Sequence, residues 1–184
     1  SCKKIKYLFP KAHAVAYVMM AFRIAWFKVY YPLAFYAAYF YRRSQKGGFD
    51  AVLMTQGKEA IMANMDAITS NENATDKDDD LLTTMEVVYE YYIRGFEFLP
   101  IDIYKSHATK FLIQDGKLLP PFVSISGLGE NAAWDLMNGR EGKTFISIEE
   151  VALACPKVSK THIQMLKDAG AFGSLPDTSQ ISLF

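Results

Sequence analysis

The sequence predicts a mainly α-helical fold with a small β-hairpin. Three observations support this. Apolar residues recur at three- and four-residue spacing over most of the chain, Asp115-Gly116 joins two short apolar runs, and the turns Gly127-Leu128-Gly129 and Val158-Ser159-Lys160 each open a helix. Hydrophobic residues make up 51% of the 184 positions, ample for a core. Cys2 and Cys155 offer neither a disulfide framework nor metal-ligand spacing, so reduced thiols in a cytoplasmic protein are the simple reading. The chain opens Ser1-Cys2-Lys3 without a signal-peptide pattern, which reads as a piece of a longer protein.

Residues 12–41 are almost wholly apolar and aromatic. Arg23, Lys28 and Pro32 interrupt them, and no charge-free stretch approaches the ~20 residues that span a bilayer. The segment reads as two helices broken at Tyr31-Pro32 and buried in a larger protein, with no membrane partner. Arg42-Arg43-Ser44-Gln45-Lys46-Gly47-Gly48 reads as a loop, and 57–69 as a helix with Ala60, Ile61, Met65 and Ile68 on its apolar face. The polar run from Asn71 through Asp80 reads as a solvated turn capping the next helix. Its aspartates lack the alternating spacing and distal Glu of a calcium loop, so no metal is assigned to it. A helix over 81–94 ends at Gly95. The hairpin occupies 109–119, turning at Asp115-Gly116. Beyond Pro120-Pro121, a helix follows Gly129 and faces a core with Ala132, Ala133, Leu136 and Met137. Another spans 147–154 with Ser147 as cap and Glu149 and Glu150 in its first turn, and a third runs through Ile163, Met165 and Leu166 to Gly170. Leu175-Pro176-Asp177-Thr178-Ser179 reads as an extended polar tether.

Net charge is zero but unevenly spread: residues 1–48 carry nine Lys/Arg and no acid, and 49–119 carry 6 basic against 13 acidic residues. The basic opening fits a polyanionic partner, and equally fits pairing with the acidic middle. A Gly-x-Gly turn before a helix aims unpaired amides, reinforced by the helix dipole, at an anion. That is the logic of a helix-hairpin-helix element, which grips a phosphate without reading bases. Val158-Ser159-Lys160 lacks the glycines, yet Ser159, Lys160 and Thr161 can reach phosphate by side chain. Two packed helical hairpins without a ligand fit the same pattern. Lys11, His13 and Tyr17 offer a cation, an imidazole and an aromatic face suited to a nucleotide. A satisfied core histidine fits His13 as well.

Lys3-Lys4-Ile5-Lys6-Tyr7-Leu8-Phe9-Pro10-Lys11-Ala12-His13-Ala14, Ala16-Tyr17-Val18 and Pro32-Leu33-Ala34-Phe35-Tyr36-Ala37-Ala38-Tyr39-Phe40 resemble the fingers of bacterial family C replicative DNA polymerases. Arg94-Gly95-Phe96, Ile101-Asp102-Ile103-Tyr104, Pro120-Pro121-Phe122, Gly127-Leu128-Gly129 and the segment from Leu175-Pro176-Asp177 through Phe184 continue the resemblance in order. They point to the PolC type typical of low-GC Gram-positive bacteria. Residues 46–80 match loosely.

The resemblance implies three parts: fingers over 1–119, a helix-hairpin-helix duplex-binding domain over 120–173, and a flexible sliding-clamp-binding tail over 174–184. Phe9, Lys11, His13 and Tyr17 match the segment facing the incoming deoxynucleoside triphosphate. Gly127, Leu128 and Gly129 match the first duplex-binding hairpin, and Ser159, Lys160 and Thr161 a degenerate second one. Gln180, Ile181, Ser182, Leu183 and Phe184 match the peptide that binds the bacterial sliding clamp (beta subunit), with Ile181 where Leu is more usual. The family's catalytic aspartates, which hold Mg2+, lie upstream, so this piece is expected to be inactive alone on primer-template DNA. A non-enzymatic helix-hairpin-helix adaptor tethered to the clamp is the alternative.

Overall fold

The chain begins, in the computed structural model, with two consecutive helices, α1 (Lys11–Tyr30) and α2 (Pro32–Ser44), and the structure describes residues 11–71 and 73–179. The break falls at Tyr31-Pro32 as expected, because Pro32 has no amide to donate and suits the first turn of a new helix. Then come α3 (Ala51–Met54), α4 (Lys58–Thr69) and α5 (Asp76–Ile93). The antiparallel pair β1 (Leu112–Gln114) and β2 (Lys117–Leu119) follows, then a 3-10 turn at Phe122–Ser124. Three short helices close the fold: α6 (Glu130–Gly139), α7 (Ile148–Ala154) and α8 (Lys160–Asp168).

One cluster of buried apolar side chains runs from Tyr36 to Phe172 and joins the early helices to the late ones. Its first half is an aromatic knot. The Tyr91 ring lies 4.6 Å from Phe98, 5.0 Å from Tyr36 and 5.8 Å from Phe40, and its hydroxyl donates to the Glu97 carbonyl at 2.6 Å. Such ring pairs contribute about 0.5–1.5 kcal/mol each beyond burial.

α5 begins earlier than the 81–94 expected from periodicity. Thr75 and Asp78 form a reciprocal capping box, and Asp76, Asp78 and Asp79 sit in the first turn, where carboxylates favour the helix dipole. The polar run expected as a turn is therefore largely helix. Arg42, Arg43 and Ser44, expected in a loop, end α2. The basic opening does pair with the acidic middle at two points: Lys28 with Glu90 at 2.7 Å and Arg43 with Asp80 at 3.2 Å. Tyr36 donates to Glu90 at 2.9 Å, and Arg94 donates to the Tyr36 hydroxyl and to the Lys28 carbonyl, both at 3.1 Å. Burial acts to raise the Glu90 pKa. The bonds from Lys28 and Tyr36 and the Lys28 and Arg94 charges outweigh it, holding the carboxyl below its ordinary 4.5.

α1 contributes nothing to this core. None of its residues is buried, and Phe22 is 73% exposed. The burial expected for it is not supplied by the described residues. The helix runs unbroken through Arg23 and Lys28, so by length and mean hydropathy (1.2) it is long enough to cross a membrane, contrary to the length argument from sequence. A mid-helix Arg opposes insertion by about 2.5–3.5 kcal/mol. Lys28 is tied to α5, and His13 is exposed rather than a core histidine.

The β-hairpin turns at Asp115 (φ 51°) and Gly116 (φ 75°), the paired left-handed conformation expected of Asp-Gly. Residues 175–177 are pinned rather than free: Ile148 and Glu149 donate their amides to the Pro176 and Asp177 carbonyls at 2.9 and 3.1 Å, and Lys167 pairs with Asp177 at 2.6 Å. These carbonyls satisfy the first orphan amides of α7, while the Ser147 hydroxyl accepts from Glu150.

Candidate nucleic-acid interface

The Gly-x-Gly turn links the 3-10 turn to α6. The Leu128 amide closes it onto the Ile125 carbonyl at 3.0 Å, and the Leu128 side chain plugs the core at 2% exposure. Gly127 has φ +89°, a conformation that favours glycine. A Cβ there would also stand 2.8 Å from the Met165 Cε of α8. Gly129 is the N-cap of α6 at φ −68°, ψ 161°, and having no side chain it leaves the first amides of the helix uncapped. Among the described residues, the Gly127 amide has no acceptor.

The turn before α8 shares part of this plan, although none of its residues has the positive φ of Gly127. The Val158 amide closes onto the Cys155 carbonyl, again at 3.0 Å, Val158 is the buried plug, and Ser159 is the N-cap at φ −73°, ψ 165°. Its donors, however, are claimed from within. The Ser159 hydroxyl accepts from the His162 amide at 3.2 Å, and His162 Nδ1 accepts from the Ser159 amide at 3.2 Å. The Lys157 amide donates to Asp135 Oδ2 of α6 at 2.7 Å. Lys160 and Thr161 are exposed in the first turn of α8.

The open turn forms one wall of a cleft of about 570 Å³. Gln45 and Gly47 after α2, Lys77 at the start of α5, and Thr109 line its other side. Glu130 also lines it, and Trp134 Nε1 donates to its carboxylate at 3.1 Å, drawing it back along α6. Behind the turn, His107 Nδ1 accepts the Thr109 and Lys110 amides at 3.0 and 3.1 Å, and the His107 carbonyl accepts the Phe122 amide at 3.0 Å. Burial, with the Lys110 and Arg140 charges, lowers the His107 pKa below its ordinary 6.5. Burial also pushes the Cys155 thiol up to about 11, leaving it a protonated packing group.

The structure thus brings Gly127, Leu128 and Gly129 against α8, the helix that Ser159 caps and Lys160 and Thr161 open. Lys11, His13 and Tyr17 lie elsewhere, on the exposed first turns of α1, with the His13 and Tyr17 rings edge-on at 4.5 Å. They do not line the cleft. Phe9, Gln180, Ile181, Ser182, Leu183 and Phe184 fall outside the described residues. Lys77, Asp135 and Gly139 are not singled out by sequence. Lys77 stands in a run dominated by aspartates, and the Asp135 contact spans 22 residues. A Cβ on Gly139 would stand 2.5 Å from Cys155 Sγ and 2.9 Å from the Ala154 carbonyl, a closeness with no local signal. Among the described residues, no group of three His, Cys, Asp or Glu is placed to hold a metal ion.

Two closed turns, each delivering a helix N-terminus, lie within residues 95–181, which match the helix-hairpin-helix motif family. Over its whole length the chain is homologous to one segment of PolC-type DNA polymerase III. It is 50% identical to the PolC-type DNA polymerase III of Thermotoga petrophila, 51% to that of Caldanaerobacter subterraneus and 48% to that of Clostridium perfringens. Each match covers 100% of this chain and 13% of the relative, so the chain spans about an eighth of the length of these curated relatives.

Proposed function

We propose that this chain is the carboxyl-terminal part of a cytoplasmic replicative DNA-directed DNA polymerase. Its roles are to position the incoming nucleotide, to grip the primer-template duplex and to attach the enzyme to the sliding clamp. The full-length match at 50% identity carries the reading. The uncapped first hairpin supplies its physical basis: the amides of Gly127 and Gly129 and the N-terminus of α6 face a DNA phosphate, which accepts their hydrogen bonds and is attracted by the helix dipole. Ser159, Lys160 and Thr161 add side-chain contacts beside it. Phe9, Lys11, His13 and Tyr17 meet the phosphates and base of the incoming deoxynucleoside triphosphate.

Phosphoryl transfer by such a polymerase uses two Mg2+ ions. The described residues do not form a suitable donor set, so the proposal assigns the metal-holding carboxylates to the remainder of the longer polypeptide. Gln180, Ile181, Ser182, Leu183 and Phe184 form the clamp peptide, with Leu183 and Phe184 as apolar anchors contributing roughly 1.5–3 kcal/mol each when buried.

Duplex binding measured with two unrelated sequences at equal salt tests the grip. Equal affinities are expected, because phosphate contacts carry no sequence information. A marked preference for one sequence contradicts the reading. For the tail, calorimetry of a 178–184 peptide with a bacterial sliding clamp is expected to give a dissociation constant on the order of micromolar. Undiminished binding after Leu183→Ala and Phe184→Ala together contradicts the anchor.

A further inference from the structure

α1 has no buried residue, and it is held at one end. Among the described residues, two hydrogen bonds tie it to elements other than α2, and both fall at Lys28. One joins the Lys28 ammonium to Glu90 at 2.7 Å, a partly exposed ion pair of the kind that contributes little. The other is to the backbone. In an unbroken helix the Lys28 carbonyl would accept the amide of residue 32, but Pro32 has none. Arg94 Nη2 donates to that carbonyl instead, at 3.1 Å. Arg94 Nη1 donates to the Tyr36 hydroxyl, also at 3.1 Å, and that hydroxyl donates to Glu90 at 2.9 Å. Tyr36 is fully buried, and the guanidinium lies 5.5 Å from the ring centres of both Tyr36 and Phe96. Arg94 is the C-cap of α5, so its backbone is fixed by a helix that belongs to the core.

We infer that Arg94 is a positioning residue: its forked guanidinium joins the α1 carbonyl that Pro32 leaves without a helical donor to the buried Tyr36 hydroxyl, and so sets the direction in which α1 leaves the core. The inference deepens the nucleotide-positioning reading above and rests on it for its consequence. A helix rises about 1.5 Å per residue, so Lys11 stands about 25 Å from Lys28. Over that length a tilt of about 5° at Lys28 carries Lys11, His13 and Tyr17 by about 2 Å. A misplacement on that scale at a substrate-positioning group can cost roughly a hundred-fold in rate. Lysine is no substitute at 94, because a single ammonium lacks the rigid fork that spans the two acceptors.

Spin labels on Val18→Cys in α1 and Leu153→Cys in α7, both exposed positions, read the direction of α1 in the full 184-residue chain carrying Cys2→Ser, with the native Cys155 buried. One narrow distance is expected while Arg94 is in place. It broadens or shifts in Arg94→Ala and in Arg94→Lys, and less far in Tyr36→Phe, which keeps the ring and loses only the hydroxyl. Lys28→Ala keeps the backbone carbonyl and leaves the distance as it is. In the full-length polymerase proposed above, Arg94→Lys is expected to raise KM for the deoxynucleoside triphosphate by roughly ten-fold or more, with kcat less affected and duplex affinity unchanged. The inference is overturned if the distance stays native in both Arg94→Ala and Tyr36→Phe, or if Lys28→Ala loosens α1 as far as Arg94→Ala does. It is equally overturned if Arg94→Lys leaves KM unchanged while Lys11→Ala and His13→Ala raise it. If those two variants also leave KM unchanged, the nucleotide reading is what fails, and the label distances still decide whether Arg94 directs α1.

Discussion

The first and second hairpins share a closing hydrogen bond, a buried plug and an N-cap geometry, but differ in the backbone of the closed turn and in who owns their donors. At Gly127 and Gly129 the chain omits side chains and leaves the first amides of α6 uncapped. At Lys157 and Ser159 the chain supplies its own acceptors, from Asp135, Ser159 and His162. Capping stabilises a helix N-terminus, and the proposed duplex grip would supply to α6 the acceptor that Ser159 supplies to α8. The comparison teaches that the glycines do two jobs. Gly127 supplies a left-handed turn, and Gly129 keeps the helix end open.

The largest effect is expected where the second hairpin leans on α6. Gly139→Ala places a methyl 2.5 Å from Cys155 Sγ and 2.9 Å from the Ala154 carbonyl, forcing α6 from the end of α7. Thermal or denaturant unfolding should show a loss of about 1–3 kcal/mol, the range for overpacking a filled site. Gly127→Ala should cost about 1–2 kcal/mol through its left-handed backbone, with the Met165 Cε tip moving aside. Lys157 lacks positive φ, so Lys157→Ala should leave stability within about 0.5 kcal/mol. Equal losses at the two positions would break the distinction between the turns.

A smaller effect concerns pH. His107 anchors the loop behind the first hairpin through Nδ1, which accepts two amides only while unprotonated. Its folded pKa lies below the ordinary 6.5, so its contribution is complete above that value and is lost as pH falls through the folded pKa. Unfolding midpoints followed from about pH 7.5 down to about pH 5 should therefore fall, and His107→Ala should flatten that part of the curve. Amide resonances at 107–110 should move in this range. Unchanged resonances there would place the titration elsewhere.

Much of this arrangement is legible in the sequence. α4, α6, α7 and α8 follow from local periodicity and caps, and Asp115-Gly116 dictates its own turn. The start of α5 is misplaced because four aspartates look like a solvated turn until Thr75 and Asp78 are seen to cap each other. α3, a single turn of four residues, is too short to show a period. The exposure of α1 is illegible because an apolar helix carries the same residues whether or not its cover is present. The first hairpin can be read from Gly-Leu-Gly. The closure of the second cannot, since the bond between Asp135 and Lys157 exists only once α6 and α7 have packed.

Gly129→Asp is the most direct test of the claim that the first hairpin is kept open for a phosphate. The position has φ −68° and ψ 161°, and a Cβ there meets nothing within 4 Å, so aspartate fits and caps α6 much as Ser159 caps α8. Stability measured by unfolding should hold or rise by a few tenths of a kcal/mol, while the new carboxylate takes the amides and repels phosphate. Duplex affinity measured on the same sample at fixed salt should fall by on the order of ten-fold or more. Duplex affinity unchanged in a stably folded Gly129→Asp chain would contradict the account.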